Sequence, residues 1–291
     1  MKILSLIMAF LNAILTVFGM GGGIQKRYET YLNVAYGTSP TAVMDVYIPA
    51  SAAGRENNGV LVFLHGGHWK TGTKSDMTDD CTRYVEKGYV TVTMNYALCR
   101  FVNNVSLRDM MNDVDAALRT IRSFCAEKGV SVTQSALVGY SAGAHLALMY
   151  GYKQPDGPLP VRFVVSRSGP TDMDPALWLP VYGELQTYEL LSDLCGQEIR
   201  SDNLDDPAVQ QMIAAVSPVH YVNANTVPTL LCYGKADTVI PRESADRLEG
   251  ALLRAGVVYD RLDFTSGHVL SDVSKTRDMH DETLSFCKTF F

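Results

Sequence analysis

The fold of this 291-residue chain is constrained most by a regular alternation of short apolar segments with longer amphipathic ones. Val60–Leu64 is a continuous apolar run, which is typical of a strand buried on both faces of a sheet. Leu107–Lys128 has apolar residues at helical spacing and is followed by Gly129, a residue type that commonly ends helices. Because strands that alternate with helices form mainly parallel sheets covered on both faces, we predict an α/β fold.

The same patterns recur along the rest of the chain. The predicted strands are Tyr28–Tyr36, Ala42–Ile48, Val60–Leu64, Tyr89–Asn95, Ser135–Gly139, Val161–Val165, Thr229–Tyr233 and Val258–Phe264. The predicted helices are Ser75–Glu86, Leu107–Lys128, Ala142–Tyr152, Arg242–Ala255 and Leu270–Phe290. A long, acidic and aromatic stretch, about residues 171–222, interrupts the alternation. We predict that it is an insertion over the C-terminal edge of the sheet, where ligands bind in such folds.

The composition excludes several classes of protein. With 25 Lys and Arg against 31 Asp and Glu, the net charge is −6, and the chain lacks the long basic runs that bind nucleic acid. The 6 cysteines are never at C-x-x-C spacing, which argues against a zinc ribbon or a thioredoxin-like site. Most are expected to be buried free thiols, and one or two disulfides become plausible if the protein is exported. The oligomeric state is not readable from the sequence.

A G-x-S-x-G motif, Gly139–Gly143, lies between a predicted strand and a predicted helix. In that context the glycines permit a sharp turn that lifts the serine hydroxyl, here Ser141, above the sheet. The helix that follows directs its free N–H groups, beginning with that of Ala142, at the same place. The motif therefore predicts Ser141 as a catalytic nucleophile.

The segment His65–Trp69 reads His-Gly-Gly-His-Trp and directly follows the strand Val60–Leu64. Glycines allow backbone N–H groups to approach a substrate oxygen closely. We therefore predict that the N–H groups of Gly66, Gly67 and His68, with that of Ala142, stabilise the oxyanion of a tetrahedral intermediate. The two histidines could also bind a metal, but no partner cluster supports this, and neither a metal nor an organic cofactor is expected.

Two further polar residues follow predicted strands near the C-terminus. Asp237 comes after Thr229–Tyr233, and His268 comes after Val258–Phe264. A histidine at this place can act as general base toward Ser141, and a carboxylate can orient it and stabilise its protonated form. His145 lies one helical turn beyond Ser141 and is expected to be structural. The chain order Ser, Asp, His is that of the α/β-hydrolase triad.

From about Tyr28 onward the chain resembles α/β-hydrolases of the esterase and lipase group, in the branch of acetyl esterases, feruloyl esterases and kynurenine formamidases. The matching segments are Asn33–Gly37, Asp45–Pro49, His65–Trp69, Gly139–Ala147 and Gly234–Pro241. The resemblance implies the α/β-hydrolase fold, the triad Ser141, Asp237 and His268, and oxyanion donors at Gly66, Gly67 and Ala142. The chain departs from the common pattern at two positions. His68 bears on the shape of the acyl pocket, and Val269 bears on the geometry of the loop that carries His268, the histidine loop.

These residues predict a serine carboxylesterase acting on short-chain, acetyl-type esters, with a carbohydrate acetyl ester or a feruloyl ester as narrower possibilities. Trp69 and Tyr140 are the candidate substrate contacts. Aromatic residues of the insertion, such as Trp178 and Tyr182, either stack on a substrate or simply pack the insertion on the core. An aryl formamidase is the alternative enzyme. A peptidase would usually carry a larger cap, and a non-catalytic binding protein would usually lack a triad member.

The N-terminus differs from the remainder of the chain. No charged residue lies between Lys2 and Lys26, and residues 3–20 are mostly apolar. A basic residue before a long apolar run is typical of a secretory signal or a membrane anchor, and the alternative is a helix that caps the domain's own apolar cleft. We therefore expect an apolar segment at residues 1–25, a catalytic domain at 26–291, export or anchoring, and membrane association through residues 3–20.

Overall fold

The computed structural model describes residues 27–56, 58–99 and 105–291. The predictions for the apolar segment 1–25, including its contact with a membrane, lie outside the described residues. Among the described residues, no helix is both long and apolar enough to cross a bilayer. All 6 cysteines are free thiols, and all but Cys195 are buried, as the sequence predicts.

The described residues form an eight-stranded, mostly parallel sheet. Its strands are β1 (Tyr28–Ala35), β2 (Val43–Pro49), β3 (Asn58–Leu64), β4 (Val90–Met94), β5 (Val132–Tyr140), β6 (Val161–Arg167), β7 (Thr229–Gly234) and β8 (Tyr259–Phe264). They lie in the order β1-β2-β4-β3-β5-β6-β7-β8. β2 runs antiparallel to both of its neighbours, and all other adjacent strands are parallel. Parallel strands bring their carboxyl ends to one edge, which is where β3, β5, β7 and β8 lead into the predicted motifs.

Helices cover both faces of the sheet, and this confirms the predicted α/β class. They are α1 (Thr78–Val85), α2 (Leu107–Glu127), α3 (Ala142–Lys153), α4 (Pro175–Cys195), α5 (Pro207–Ala215), α6 (Arg242–Ala255) and α7 (Val273–Phe290). The side chains of β3 alternate between two apolar cores. Val60, Val62 and Leu64 pack with α2, α3 and α6, whereas Leu61 and Phe63 pack with α1 and α7.

Two elements differ in detail from the sequence-based expectation. The last helix begins at Val273 rather than at Leu270, because Leu270 has left-handed backbone (φ 54°) and so cannot continue a helix. The insertion forms α4, α5 and the short 3₁₀ turn Pro218–Tyr221. Within α4, Gly183 has φ 71° and ψ 175°, so the element is two helical segments joined at a kink.

An ion pair connects α1 to the end of β6 beneath the catalytic edge. The Arg167 guanidinium donates from Nη1 to Asp80 Oδ1 at 3.0 Å and from Nη2 to Asp80 Oδ2 at 2.9 Å. The two side chains are only 12% and 16% exposed. Burial raises the pKa of Asp80, but the adjacent guanidinium outweighs that effect, and the net pKa lies below the ordinary value. The pair therefore stabilises the fold when Asp80 is ionised.

We expect Asp80→Asn to lower the free energy of unfolding by about 3 kcal/mol near neutral pH, because Arg167 would lose a largely buried counterion. Asp79→Asn, one residue away on the exposed side of α1, is the matched control and should change it by less than about 0.5 kcal/mol. Since the folded pKa of Asp80 is depressed, its contribution is lost as the pH falls through that value, and the difference between wild type and Asp80→Asn should shrink in acid. Urea unfolding at about pH 7 and about pH 3 measures both effects, and equal stabilities at neutral pH would refute the assignment.

Candidate active site

Ser141 lies at the sharp turn from β5 to α3, with φ 52° and ψ −119°. A non-glycine residue at positive φ is strained, and such strain costs on the order of 1–3 kcal/mol. The turn is held because Ser141 N donates to Arg167 O at 2.8 Å. The flanking glycines leave the necessary space: a Cβ on Gly139 would lie 2.3 Å from Gly143 O, and one on Gly143 would lie 2.1 Å from Leu64 O. The glycines thus let α3 approach β3 closely.

The structure brings the three predicted triad residues into one row of hydrogen bonds. His268 Nε2 lies 3.0 Å from Ser141 Oγ, and His268 Nδ1 lies 2.9 Å from Asp237 Oδ2. Each side chain follows a different parallel strand, which is why residues distant in sequence meet at one edge. With the Nδ1 proton facing Asp237, Nε2 is free to accept the proton of the serine hydroxyl.

Asp237 is fixed from both sides. Its Oδ1 atom accepts hydrogen bonds from the backbone N–H groups of Val239 at 2.8 Å and Ile240 at 3.0 Å. Burial raises the pKa of Asp237, but the hydrogen bonds from His268 and from these two N–H groups outweigh that effect and lower it below the ordinary value. The carboxylate is therefore ionised at neutral pH and aimed at the imidazole.

The loop that carries His268 is anchored through its backbone. Ser168 Oγ donates to His268 O at 3.0 Å, an interaction that sequence reasoning did not identify. The ring of Tyr140 packs against that of His268 with centroids 5.4 Å apart. Tyr140, predicted as a substrate contact, donates from its hydroxyl to His268 O at 3.4 Å and is not among the residues that line the adjacent cavity. Val269, which replaces a more usual residue, is 74% exposed.

Residues Gly66–Thr71, which we call the glycine loop, follow β3 and lie beside Ser141. Three successive residues have positive φ: 119° at Gly67, 52° at His68 and 58° at Trp69. A Cβ on Gly67 would lie 2.2 Å from Thr71 O, so only glycine fits there. Among the described residues, the backbone N–H groups of Gly66, Gly67, His68 and Ala142 have no hydrogen-bond acceptor. Within the described ranges, these four predicted donors are thus free to bind a substrate oxygen.

His145 has the structural role that the sequence predicts. It is fully buried, accepts a hydrogen bond from Trp69 Nε1 at 3.2 Å on Nδ1, and donates from Nε2 to Val216 O at 2.8 Å. Burial lowers its pKa to about 4, so the ring is neutral and joins the glycine loop, α3 and the insertion.

His65, the other histidine considered as a metal ligand besides His68, stacks on Tyr96 with ring centroids 4.3 Å apart. No group of three or more metal-ligating side chains occurs in the part of the chain that the structure describes.

A cavity of about 280 Å³ opens at Ser141 beneath the insertion. Its apolar wall consists of Trp69, Pro170, Trp178, Tyr182, Leu190 and Ile240. Its polar lining consists of His68, Lys70, Ser141, Gln186 and Glu189. The insertion therefore lies over the catalytic edge, as predicted, and α4 supplies much of both walls.

The aromatic residues of the insertion both pack and line the site. Trp178 is 1% exposed, its Nε1 donates to Asp172 O at 2.8 Å, and its ring stacks on Tyr182 with centroids 5.8 Å apart. The same two residues form part of the cavity wall, so the two alternatives of the sequence analysis are not exclusive.

The imidazole of His68 is neutral near pH 7. Burial is the main cause that lowers its pKa, and the neighbouring His268 and Lys70 lower it further.

Sequence reasoning did not identify Lys70, Gln186 or Glu189 as part of the site. Lys70 follows the recognised glycines by three residues, and this position was the only available signal. The two residues of α4 come from a segment whose path over the sheet has no local signature, because it depends on how the insertion folds back.

Comparisons with known proteins agree with this architecture. Esterase LipQ of Mycobacterium tuberculosis is 26% identical over 247 residues, covering 80% of this chain and 55% of that protein. Kynurenine formamidase of Salmo salar is 31% identical over 121 residues, covering 42% of this chain and 38% of that protein. The chain thus spans about half the length, or less, of these curated relatives.

The structure of esterase B from Lactobacillus rhamnosis HN001 superposes with a TM-score of 0.72 at 18% identity, covering 98% of this chain and 93% of that chain. At this identity the similarity concerns the fold, and it confirms the α/β-hydrolase architecture that the motifs predict. The family model described as BD-FAE matches residues 44–252, a range that spans β2 to α6 and includes Ser141 and Asp237. The chain therefore belongs to the BD-FAE family.

Proposed function

We propose that this protein is a serine carboxylesterase that hydrolyses short-chain acyl esters. The observation that carries the proposal is the row of hydrogen bonds from Ser141 through His268 to Asp237 at the mouth of an apolar cavity. Kinship with the esterase LipQ and membership of the BD-FAE family support the same reaction class.

The proposed reaction proceeds in two steps on Ser141. His268 Nε2 removes the hydroxyl proton as Oγ attacks the ester carbonyl, and the N–H groups of Gly66, Gly67, His68 and Ala142 are the donors available to stabilise the oxyanion. His268 then gives its proton to the departing alcohol, which leaves an acyl-enzyme. Water, deprotonated by His268, attacks the acyl-enzyme, and His268 returns that proton to Ser141 Oγ as the acid is released.

The volume of the cavity favours small acyl groups. About 280 Å³ must accept the acyl group and part of the alcohol, which suits acetyl or propionyl groups better than long chains. Acetyl groups on carbohydrates are a narrower member of the proposed class. A feruloyl ester is the larger alternative, supported by the aromatic wall formed by Trp178 and Tyr182 and not by the volume of the cavity. The acidic excess of the insertion disfavours anionic substrates, and Glu189 on the cavity rim is itself paired with Lys70.

An aryl formamidase is the second candidate. Its support is the segment that is 31% identical to the kynurenine formamidase of Salmo salar. Amide and ester hydrolysis share the same tetrahedral intermediate, so the same residues would carry out both reactions.

Replacement of the nucleophile gives the first test. Ser141→Ala should lower kcat for p-nitrophenyl acetate by roughly 10⁴- to 10⁶-fold, because no acyl-enzyme can form. Ser123→Ala, an exposed serine on α2, is the control and should retain wild-type activity. A fluorophosphonate probe should label the wild type but not Ser141→Ala. Substantial turnover by Ser141→Ala would contradict the proposal.

Replacement of the carboxylate tests the role of Asp237. Asp237→Asn should lower kcat by about 10⁴-fold near pH 7, because the amide donates toward Nδ1 and favours the wrong tautomer of His268. The two backbone hydrogen bonds to the other oxygen can persist in the variant, so the fold should be retained. Steady-state kinetics measures the loss of catalysis, and thermal unfolding checks that the variant is folded. Activity of Asp237→Asn within about tenfold of wild type would exclude the role of Asp237 in the triad.

A panel of substrates tests the acyl preference. For p-nitrophenyl esters, kcat/KM should be highest for acetyl or propionyl and at least about tenfold lower for decanoyl, because long chains exceed the cavity. Acetylated and feruloylated oligosaccharides resolve the narrower classes. If an N-formyl aryl amide is hydrolysed with a higher kcat/KM than any ester in the panel, the formamidase replaces the esterase as the function.

A further inference from the structure

We propose that Lys70 is a positioning residue that holds the glycine loop in its oxyanion-binding conformation through an ion pair with the buried Asp193 of α4. The inference rests on the proposed function, because it assigns the glycine loop the oxyanion role. It adds an interaction that the catalytic motifs do not contain, between the glycine loop and the C-terminal end of α4.

The ion pair is close and asymmetric. Lys70 Nζ lies 2.7 Å from Asp193 Oδ2 and 2.6 Å from Glu189 Oε1. The Asp193 side chain is only 3% exposed, whereas that of Glu189 is 55% exposed and lies at the cavity rim. Asp193 does not line the cavity, so its contact with Lys70 is separate from any contact with substrate.

Within the described residues, Asp193 depends on Lys70 for its charge balance. Its carboxylate oxygens are buried and have no well-aligned hydrogen-bond donor in the described part of the chain. Lys70 supplies the cationic group found within 4 Å of them among the described residues. Partial burial alone would lower the pKa of Lys70, but the carboxylates of Asp193 and Glu189 outweigh burial and raise it, so the ammonium stays charged. A buried carboxylate of this kind holds its partner strongly, because displacing the cation would leave the carboxylate buried without a counterion.

A second link connects the same two regions. Cys99 N donates to Trp69 O at 2.7 Å, and Cys99 Sγ donates to Asp193 O at 3.5 Å. Trp69 and Lys70 are therefore both tied to the segment around Asp193, one through the backbone and the other through the side chain. Trp69 is thus linked through Cys99 to Asp193, and Asp193 is linked to Lys70, so both contacts hold the glycine loop against the same part of α4.

The glycine loop has a reason to need such a restraint. His68 and Trp69 are non-glycine residues with left-handed backbone, a conformation that persists only where the surroundings enforce it. The loop is closed internally by Lys70 N and Thr71 N, which both donate to Gly67 O at 3.0 and 2.9 Å. Because Lys70 takes part in this turn and in the ion pair, the position of Asp193 is transmitted to the unpaired N–H groups of Gly67 and His68.

The experiment combines three variants with kinetics on p-nitrophenyl acetate. Lys70→Met and Asp193→Asn should each lower kcat by about 10- to 100-fold with little change in KM, since they misplace donors that act mainly in the transition state. The double variant should lose no more than the worse single variant, because both remove the same interaction. Lys70→Arg, which keeps the cation, should recover most of the activity. Lys275→Met, which removes a lysine from the exposed ion pair with Asp278, is the matched control and should behave as wild type.

A structural readout accompanies the kinetics. Hydrogen–deuterium exchange at the amides of Lys70 and Thr71 should be faster in Lys70→Met and Asp193→Asn than in wild type, while amides of the sheet keep their protection. A rise in KM without a fall in kcat would show that Lys70 contacts substrate instead, and unchanged exchange at the two amides would refute the positioning role. If wild type hydrolyses none of the esters tested, the proposed function fails, and the exchange data still decide whether Lys70 and Asp193 hold the loop.

Discussion

The catalytic edge depends on one close backbone contact, the approach of α3 to the end of β3 at Gly143. A Cβ atom at this position would lie 2.1 Å from Leu64 O and 2.4 Å from His65 O, so no other residue type allows the two elements to meet. The contact sets the strained turn at Ser141 beside the glycine loop. Because a hydroxyl and a set of unpaired N–H groups must face the same carbonyl for acyl transfer, this packing constraint determines what the edge can do.

The sequence predicts the parts of the molecule whose signals are local. The continuous apolar run of β3, the helical spacing in α2 and the G-x-S-x-G motif each specify structure within a few residues, and each lies where it was expected. The positions of Asp237 and His268 followed from one further rule, that residues after parallel strands share an edge. Leu270 shows the limit of this approach, because the left-handed backbone that delays the start of α7 to Val273 has no signature in the apolar pattern.

The remaining features could not be predicted because they depend on contacts between distant segments. Lys70 meets Asp193 across more than a hundred residues of sequence, and Ser168 reaches the backbone of His268 across a similar interval. Tyr140 illustrates the same point: its place beside the nucleophile predicts a substrate contact, and the structure adds a packing contact with the ring of His268. Which face a loop side chain takes is decided by tertiary packing, which no local pattern reports.

The kink at Gly183 divides α4 into two segments that both line the cavity but differ in their other contacts. The segment before it carries Trp178 and Tyr182, which shape the apolar wall, and the segment after it carries Glu189 and Asp193, which contact Lys70. A glycine at φ 71° interrupts the helical hydrogen bonds that would otherwise make the two segments one rigid rod. The first segment can therefore change the shape of the apolar wall without displacing the ion pair between Asp193 and Lys70, while the second segment joins that ion pair to the part of the cavity lined by Gln186 and Leu190.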